Sequence, residues 1–150
     1  MNGILCYVAV QDGRIKRSSL EVLTRFRDLA SAHGGNLSAL LVDPEAEKYV
    51  PIVSSYGPGK IYTLQHDAFG QHVNELYTDA LATAVEASGA TTLAMASTEA
   101  AKDILGALAV RLGASVLPDV GSVDYVDGQW EVLRPVMAAK RLARTRALTS

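Results

Sequence analysis

The sequence has 150 residues, 49% of them hydrophobic and 20% charged, the balance of one ordinary globular domain. A compact chain of this length buries about 70% of its unfolded surface, enough for a true core. A net charge of −2 gives the whole chain no bias toward polyanions, so nucleic acid is not an expected partner.

Ile4 to Val10 is a continuous apolar run with β-branched and aromatic members, as in a strand buried on both faces. It holds the single cysteine, Cys6, which cannot form an internal disulfide and reads as a small buried hydrophobe in a reducing compartment. No basic residue precedes the run, and Gln11-Asp12 follows it where a signal peptide would carry small residues. The expected location is therefore cytoplasmic. Asp12-Gly13 punctuates the strand, and Ser18-Ser19-Leu20-Glu21 has the spacing of a capping box. Leu20, Leu23, Phe26 and Ala30 stripe the helix that follows, which Gly34-Gly35 stops after His33, a cation suited to a helix C-terminus. Leu37 to Val42 is a second buried strand. Pro51 fits the first turn of a short helix, and Tyr56-Gly57-Pro58-Gly59 is a turn into a third strand, Lys60 to Leu64. Val73, Leu76, Ala80 and Ala84 mark a helix closed by Ser88-Gly89. Thr91 to Ala96 is a fourth strand, and Ile104, Leu105, Leu108, Ala109 and Leu112 stripe a helix ended by Gly113. This alternation predicts a mainly parallel sheet in a three-layer α/β sandwich with right-handed crossovers. Val123 and Tyr125, then Asp127-Gly128, then Trp130 and Val132, predict an antiparallel hairpin at one edge of that sheet. No linker or internal repeat divides the chain, and no charge-free apolar stretch nears the ~18 residues of a membrane span.

The chemical motifs are few. No Gly-x-x-x-x-Gly-Lys-Ser/Thr occurs, and Gly57-Pro58-Gly59 precedes a strand instead of opening a helix. Doubly wound sheets bind ligands beyond the carboxyl ends of their strands, here Gln11-Asp12-Gly13 and Ser97-Thr98-Glu99. Ser97 and Thr98 are the candidate cofactor-binding residues, as hydroxyls for a phosphate at a helix N-terminus; alternatively they only cap that helix. His66, Asp67 and His72 match no metal-ligand spacing, Glu45 and Glu47 read as a solvated loop, and no Gly-x-Ser-x-Gly elbow occurs. No catalytic or metal residue is assigned. Charge is uneven: the acids from Asp43 to Asp103 face only Lys48, Lys60 and Lys102, whereas Arg134, Lys140, Arg141, Arg144 and Arg146 follow Glu131 with no acid among them. Such a segment is either a solvated tail or a surface for another polypeptide.

Four segments in register carry a family resemblance. Asp12-Gly13-Arg14-Ile15-Lys16-Arg17-Ser18-Ser19-Leu20-Glu21-Val22-Leu23 resembles the opening of electron-transfer flavoprotein alpha subunits, where a strand runs into Asp-Gly, a basic stretch and a Ser/Thr-led helix. Tyr56-Gly57-Pro58-Gly59-Lys60-Ile61-Tyr62 is similar to that family's glycine turn. The run from Met95 to Leu105, continued through Gly113 and Asp119, resembles its next strand, loop and helix, and Arg134-Pro135 with Lys140 its late strand. Two departures stand out. Ala101-Lys102-Asp103 replaces a common Gly-Arg-Asp, losing bidentate arginine geometry. Ala138-Ala139 replaces a glycine pair, which argues against a positive-φ turn there.

The resemblance implies a Rossmann-like (adenine-nucleotide-hydrolase-like) fold, matched to the N-terminal domain of the alpha subunit. It implies a protein that passes electrons from dehydrogenases, through FAD, to a further acceptor, with a beta subunit as partner. The FAD-binding domain follows in the family and is not among these residues, so this part is expected to be a scaffold and dimerisation module that holds no flavin itself. It is an electron-carrier component, not an enzyme. Lys102, Asp103, Arg134, Lys140 and Arg141 are the candidate partner-interface residues. The alternative is a stand-alone adenine-nucleotide-binding domain like universal stress proteins, although Gly106, Gly113, Gly121 and Gly128 do not keep that family's phosphate-loop spacing. An independent flavodoxin-like FMN domain would need a hydroxyl-rich loop where Gln11-Asp12-Gly13-Arg14 stands.

Overall fold

The computed structural model describes residues 1–138 and 141–147, which form two compact units, Met1–Ala96 and Ser97–Ser150.

The first unit is built on strand β1 (Gly3–Val8), in which Ile4, Leu5, Cys6 and Val8 are all buried. Their unbroken run is explained by neighbours on both sides. β1 pairs in parallel with β4 (Asn36–Asp43) and with β6 (Thr92–Ala94), and β4 pairs in parallel with β5 (Lys60–Gln65), giving the order β5-β4-β1-β6. Helix α1 (Arg17–His33) connects β1 to β4, and α3 (Asn74–Ser88) connects β5 to β6. The two crossovers run in opposite directions across the sheet, so right-handedness puts α1 and α3 on opposite faces. Each helix stops where a glycine takes the left-handed conformation, Gly34 at φ 71° and Gly89 at φ 68°. Short helix α2 (Val50–Ser54) carries Pro51 in its first turn, as its sequence predicts. His66 caps the 3-10 turn Asp67–Gly70 by accepting the Ala68 N–H at its Nδ1, 3.0 Å away. Val73 lies before α3 and is exposed, so the buried face of that helix is centred on Tyr77, Ala80, Leu81 and Ala84 instead.

Two expectations at the end of β1 need correction. The first strand stops at Val8, and Val10 belongs to a small hairpin of β2 (Val10–Gln11) and β3 (Arg14–Ile15) around Asp12-Gly13. Asp12 and Gly13 have φ 52° and 73°, the twist that fits a two-residue hairpin loop. Ser18-Ser19 is not a capping box either. Helix α1 begins at Arg17 with Lys16 at its N-cap and no side-chain cap, so Ser18 already lies inside the first turn, and the buried Ser19 hydroxyl accepts the Ala9 N–H at 3.0 Å. The Lys16 N–H donates to the Ala9 carbonyl at 2.9 Å, so Ala9 is held on both polar groups and the ladder is interrupted there.

The second unit opens with α4 (Glu99–Leu112), in which Ile104 and Leu108 of the predicted stripe are buried together with Ala101, while Leu105, Ala109 and Leu112 are only partly buried. Three strands follow: β7 (Ser122–Val126), β8 (Gln129–Val136) and β9 (Arg141–Arg146). The expected Asp127-Gly128 hairpin is present as β7–β8, with φ 52° and 77° at the turn. It is not an edge of the parallel sheet, as the sequence led us to expect. β8 finds its second partner in β9, so the hairpin completes a separate antiparallel sheet of order β7-β8-β9.

Pairing parity explains Pro135. The Ala147 N–H donates to the Trp130 carbonyl at 3.1 Å, which makes Trp130 and Ala147 a hydrogen-bonded pair. Alternation along the antiparallel ladder then makes Pro135–Leu142 a non-hydrogen-bonded pair, so the missing proline N–H removes no β8–β9 bond.

Candidate functional site

The two hydroxyls at the start of α4 have different partners. Thr98 Oγ1 accepts the Ala101 N–H at 3.1 Å, an ordinary N-cap. Ser97 Oγ points to Asp119 Oδ1 at 3.5 Å, and Lys102 Nζ lies 3.0 Å from the same oxygen and 3.7 Å from Glu99 Oε1. The contact with Asp119 raises the Lys102 ammonium above its ordinary value, with help from Glu99. In return Lys102, then Ser97 and the charge of Arg134, hold the Asp119 carboxyl below the usual range. Ser97 and Lys102, singled out separately in the sequence, therefore meet at one carboxylate, whose field also includes the charge of Arg134. Asp103 is exposed on α4 and takes no part in those contacts.

Asp119 is the residue that organises this cluster, and it belonged to no candidate set. Its signal was available. An aspartate between Pro118 and Gly121 suits a left-handed position, and Asp119 has φ 52°. A flavin pyrophosphate does not fit this donor set. Thr98 is committed to Ala101, Ser97 and Lys102 to Asp119, and Glu99 adds a second negative charge. The other strand end is no better. Gln11, Asp12, Arg14, Ile15 and Lys16 line a shallow, open depression with Asp12 exposed in its wall.

Two of the remaining interface candidates, Arg134 and Arg141, lie on the antiparallel sheet. Arg134 is half-buried on β8, and its Nε is buried with no hydrogen-bond partner among the described residues. Arg141 is exposed at the start of β9, and Lys140 lies outside the described residues. Glu131, also missed by sequence reasoning, is held by two arginines of β9. Its carboxylate lies 2.7 Å from Arg146 Nε and 3.4 Å from Arg144 Nη1. Cross-strand register creates this pair, because Glu131 is opposite Arg146 and two residues diagonal from Arg144. Val136, Met137 and Leu142 are exposed at the far end of the same two strands.

Other reactive groups are occupied or inert. Burial alone pushes the Cys6 thiol up to about 12. Burial, then the nearby charges of Tyr77 and Asp43, raises the Tyr7 phenol far above its ordinary value. Tyr77 donates to the Phe69 carbonyl at 2.8 Å, and its ring lies 4.7 Å from that of His72. Among the described residues no three His, Cys, Asp or Glu side chains form a group that could hold a metal ion, and no helix is long and apolar enough to cross a membrane.

Comparison with known proteins gives the family. The family model described as electron transfer flavoprotein domain matches residues 4–150. The electron transfer flavoprotein subunit alpha of Syntrophomonas wolfei is 24% identical over 144 residues, covering 96% of this chain and 44% of its own length. That of Mycobacterium leprae is 32% identical over 127 residues, covering 83% and 37% respectively. Protein FixB of Azotobacter vinelandii is 30% identical over 110 residues, covering 71% and 31%. The chain thus spans less than half the length of these relatives. The match over nearly every residue, on a parallel α/β unit followed by a small antiparallel sheet, shows that the chain belongs to the electron transfer flavoprotein domain family, as a domain of the alpha-subunit N-terminal type.

Proposed function

We propose that this chain is the scaffold and dimerisation domain of an electron-transfer flavoprotein alpha subunit. In this reading a beta subunit is its partner, and FAD is held by a further domain of the alpha subunit. Electrons pass from dehydrogenases to that flavin and on to a further acceptor, so the chain is a component of a carrier and not an enzyme. The isoalloxazine supplies the redox chemistry; the protein supplies position and electrostatics. The family match across residues 4–150 carries the proposal. The candidate interface is Lys102 and Asp103 on α4, Arg134 and Arg141 on the antiparallel sheet, and Lys140, a set that offers charge and fork-like donors to another polypeptide. Cys6, buried as a free thiol, is consistent with the reducing cytoplasm.

Co-expression with a tagged beta subunit tests this reading. The untagged chain is expected to co-purify in equal amount, and Arg141→Glu to weaken retention by about 10-fold, as loss of a charged interface contact does. A chain that leaves the beta subunit at the first wash, at low salt, would overturn the heterodimer.

A further inference from the structure

Strand β9 is an open edge of a particular kind. The parity set by Trp130 and Ala147 turns the backbone groups of Arg141, Ala143 and Thr145 toward β8. Those of Leu142, Arg144 and Arg146 point to the outer side, where no strand among the described residues pairs with them. Such an edge is a template for another strand and is commonly blunted by proline, a bulge, shortness or charge. β9 runs six residues without proline or glycine and is regularly paired on its inner side, so charge alone blunts it.

That charge has one sign. Arg144 and Arg146 share the sheet face of Glu131, where two guanidiniums meet one carboxylate, and Arg141 stands on the opposite face. A second copy laid along this edge would bring arginine against arginine, which is unfavourable. A strand carrying Asp or Glu would bring opposite charges together on both faces. Leu142, 66% exposed, and Met137, 68% exposed, add an apolar end to the same edge. A phosphate backbone offers neither a peptide ladder nor apolar side chains, so the surface suits a polypeptide.

We propose that β9 accepts an extended, acidic segment of the partner polypeptide as a fourth strand, giving the order β7-β8-β9-partner. Main-chain bonds from Leu142, Arg144 and Arg146 would supply the ladder, and the arginines the selectivity. This rests on the heterodimer reading only for who the partner is.

The test is residue-level amide exchange on the 150-residue chain, free and with purified beta subunit added. Exchange at the outward amides of Leu142, Arg144 and Arg146 should slow by ~10-fold or more on binding, while Ala143 and Thr145 change little. Leu142→Pro removes an outward N–H without touching the β8 ladder, so it should weaken beta-subunit binding by about 10-fold while the unfolding midpoint holds. Binding with unchanged exchange at those three amides would overturn the strand addition and leave the heterodimer standing. Protection that appears with rising concentration of the chain alone would give the edge to a second copy and equally overturn it. Failure of the wild-type chain to bind would remove both readings.

Discussion

Burial decides what Cys6 can do. The thiolate is the nucleophile, and a thiol raised from 9.0 to about 12 holds almost none at neutral pH. The native chain should therefore resist Ellman's reagent at pH 8 and release one equivalent of product on unfolding; native labelling as fast as unfolded labelling would contradict the buried thiol. The same shift has a sign in stability. The folded value lies above the unfolded one, so the neutral form is favoured on folding, and its contribution is fully present below about pH 9. It is lost as pH rises from there toward about 12, because the unfolded thiol ionises first. Tyr7, raised mainly by burial, acts in the same direction. The unfolding midpoint should fall through the alkaline range, and Cys6→Ala should make that fall shallower while lowering the midpoint at pH 7. An identical alkaline slope in both proteins would take Cys6 out of the account.

At the level of elements, the β8–β9 turn carries strain that can be measured. Met137 and Ala138 both have φ 54°, a left-handed conformation that costs non-glycine residues roughly 1–2 kcal/mol each. The departure from a glycine pair at Ala138-Ala139 argues against positive φ there, yet Ala138 adopts it and so does Met137, while Ala139 lies outside the described residues. Ala138→Gly should relieve the strain, stabilising the chain by about 1 kcal/mol after glycine's extra unfolded entropy and raising the midpoint by roughly 2–4 °C. A lower midpoint would mean that the turn is not strained as described. The elements legible in sequence were those with strong punctuation. Gly34, Gly89 and Gly113 ended their helices where expected, and Asp127-Gly128 made its hairpin. β9 was not legible, because Arg-Leu-Ala-Arg-Thr-Arg places arginine on both faces and shows no apolar alternation; its reason for being a strand is the β8 ladder. The Ser18-Ser19 motif misled because the helix starts earlier, at Arg17, which puts Ser18 inside its first turn and leaves Ser19 to accept the Ala9 N–H. Ser97 and Lys102 could be picked out singly, but their meeting at Asp119 depends on a loop whose course no periodicity encodes.

For the whole molecule, the question is whether the flavin can be held by these residues alone. Tight FAD binding needs anchors for a pyrophosphate and convergent polar groups around the isoalloxazine ring, in one enclosed pocket. The starts of α4 and α1 do not supply the first. Thr98 caps α4, Lys102 is neutralised by Asp119, and Glu99 stands in the first turn. At α1 the cap position is open, but the neighbouring depression is shallow and Asp12 stands in its wall. The relatives are more than twice as long as the segment they share with this chain, which leaves room for the anchors elsewhere in them. Purified residues 1–150 should accordingly be colourless, and FAD added in excess should be removed by dialysis. The measurement is the flavin band near ~450 nm, a property of the cofactor itself, read before and after dialysis against the protein concentration. Retention of one FAD per chain would sink the scaffold reading, because the redox centre would then lie within these two units and the arginine-edged sheet would need another role.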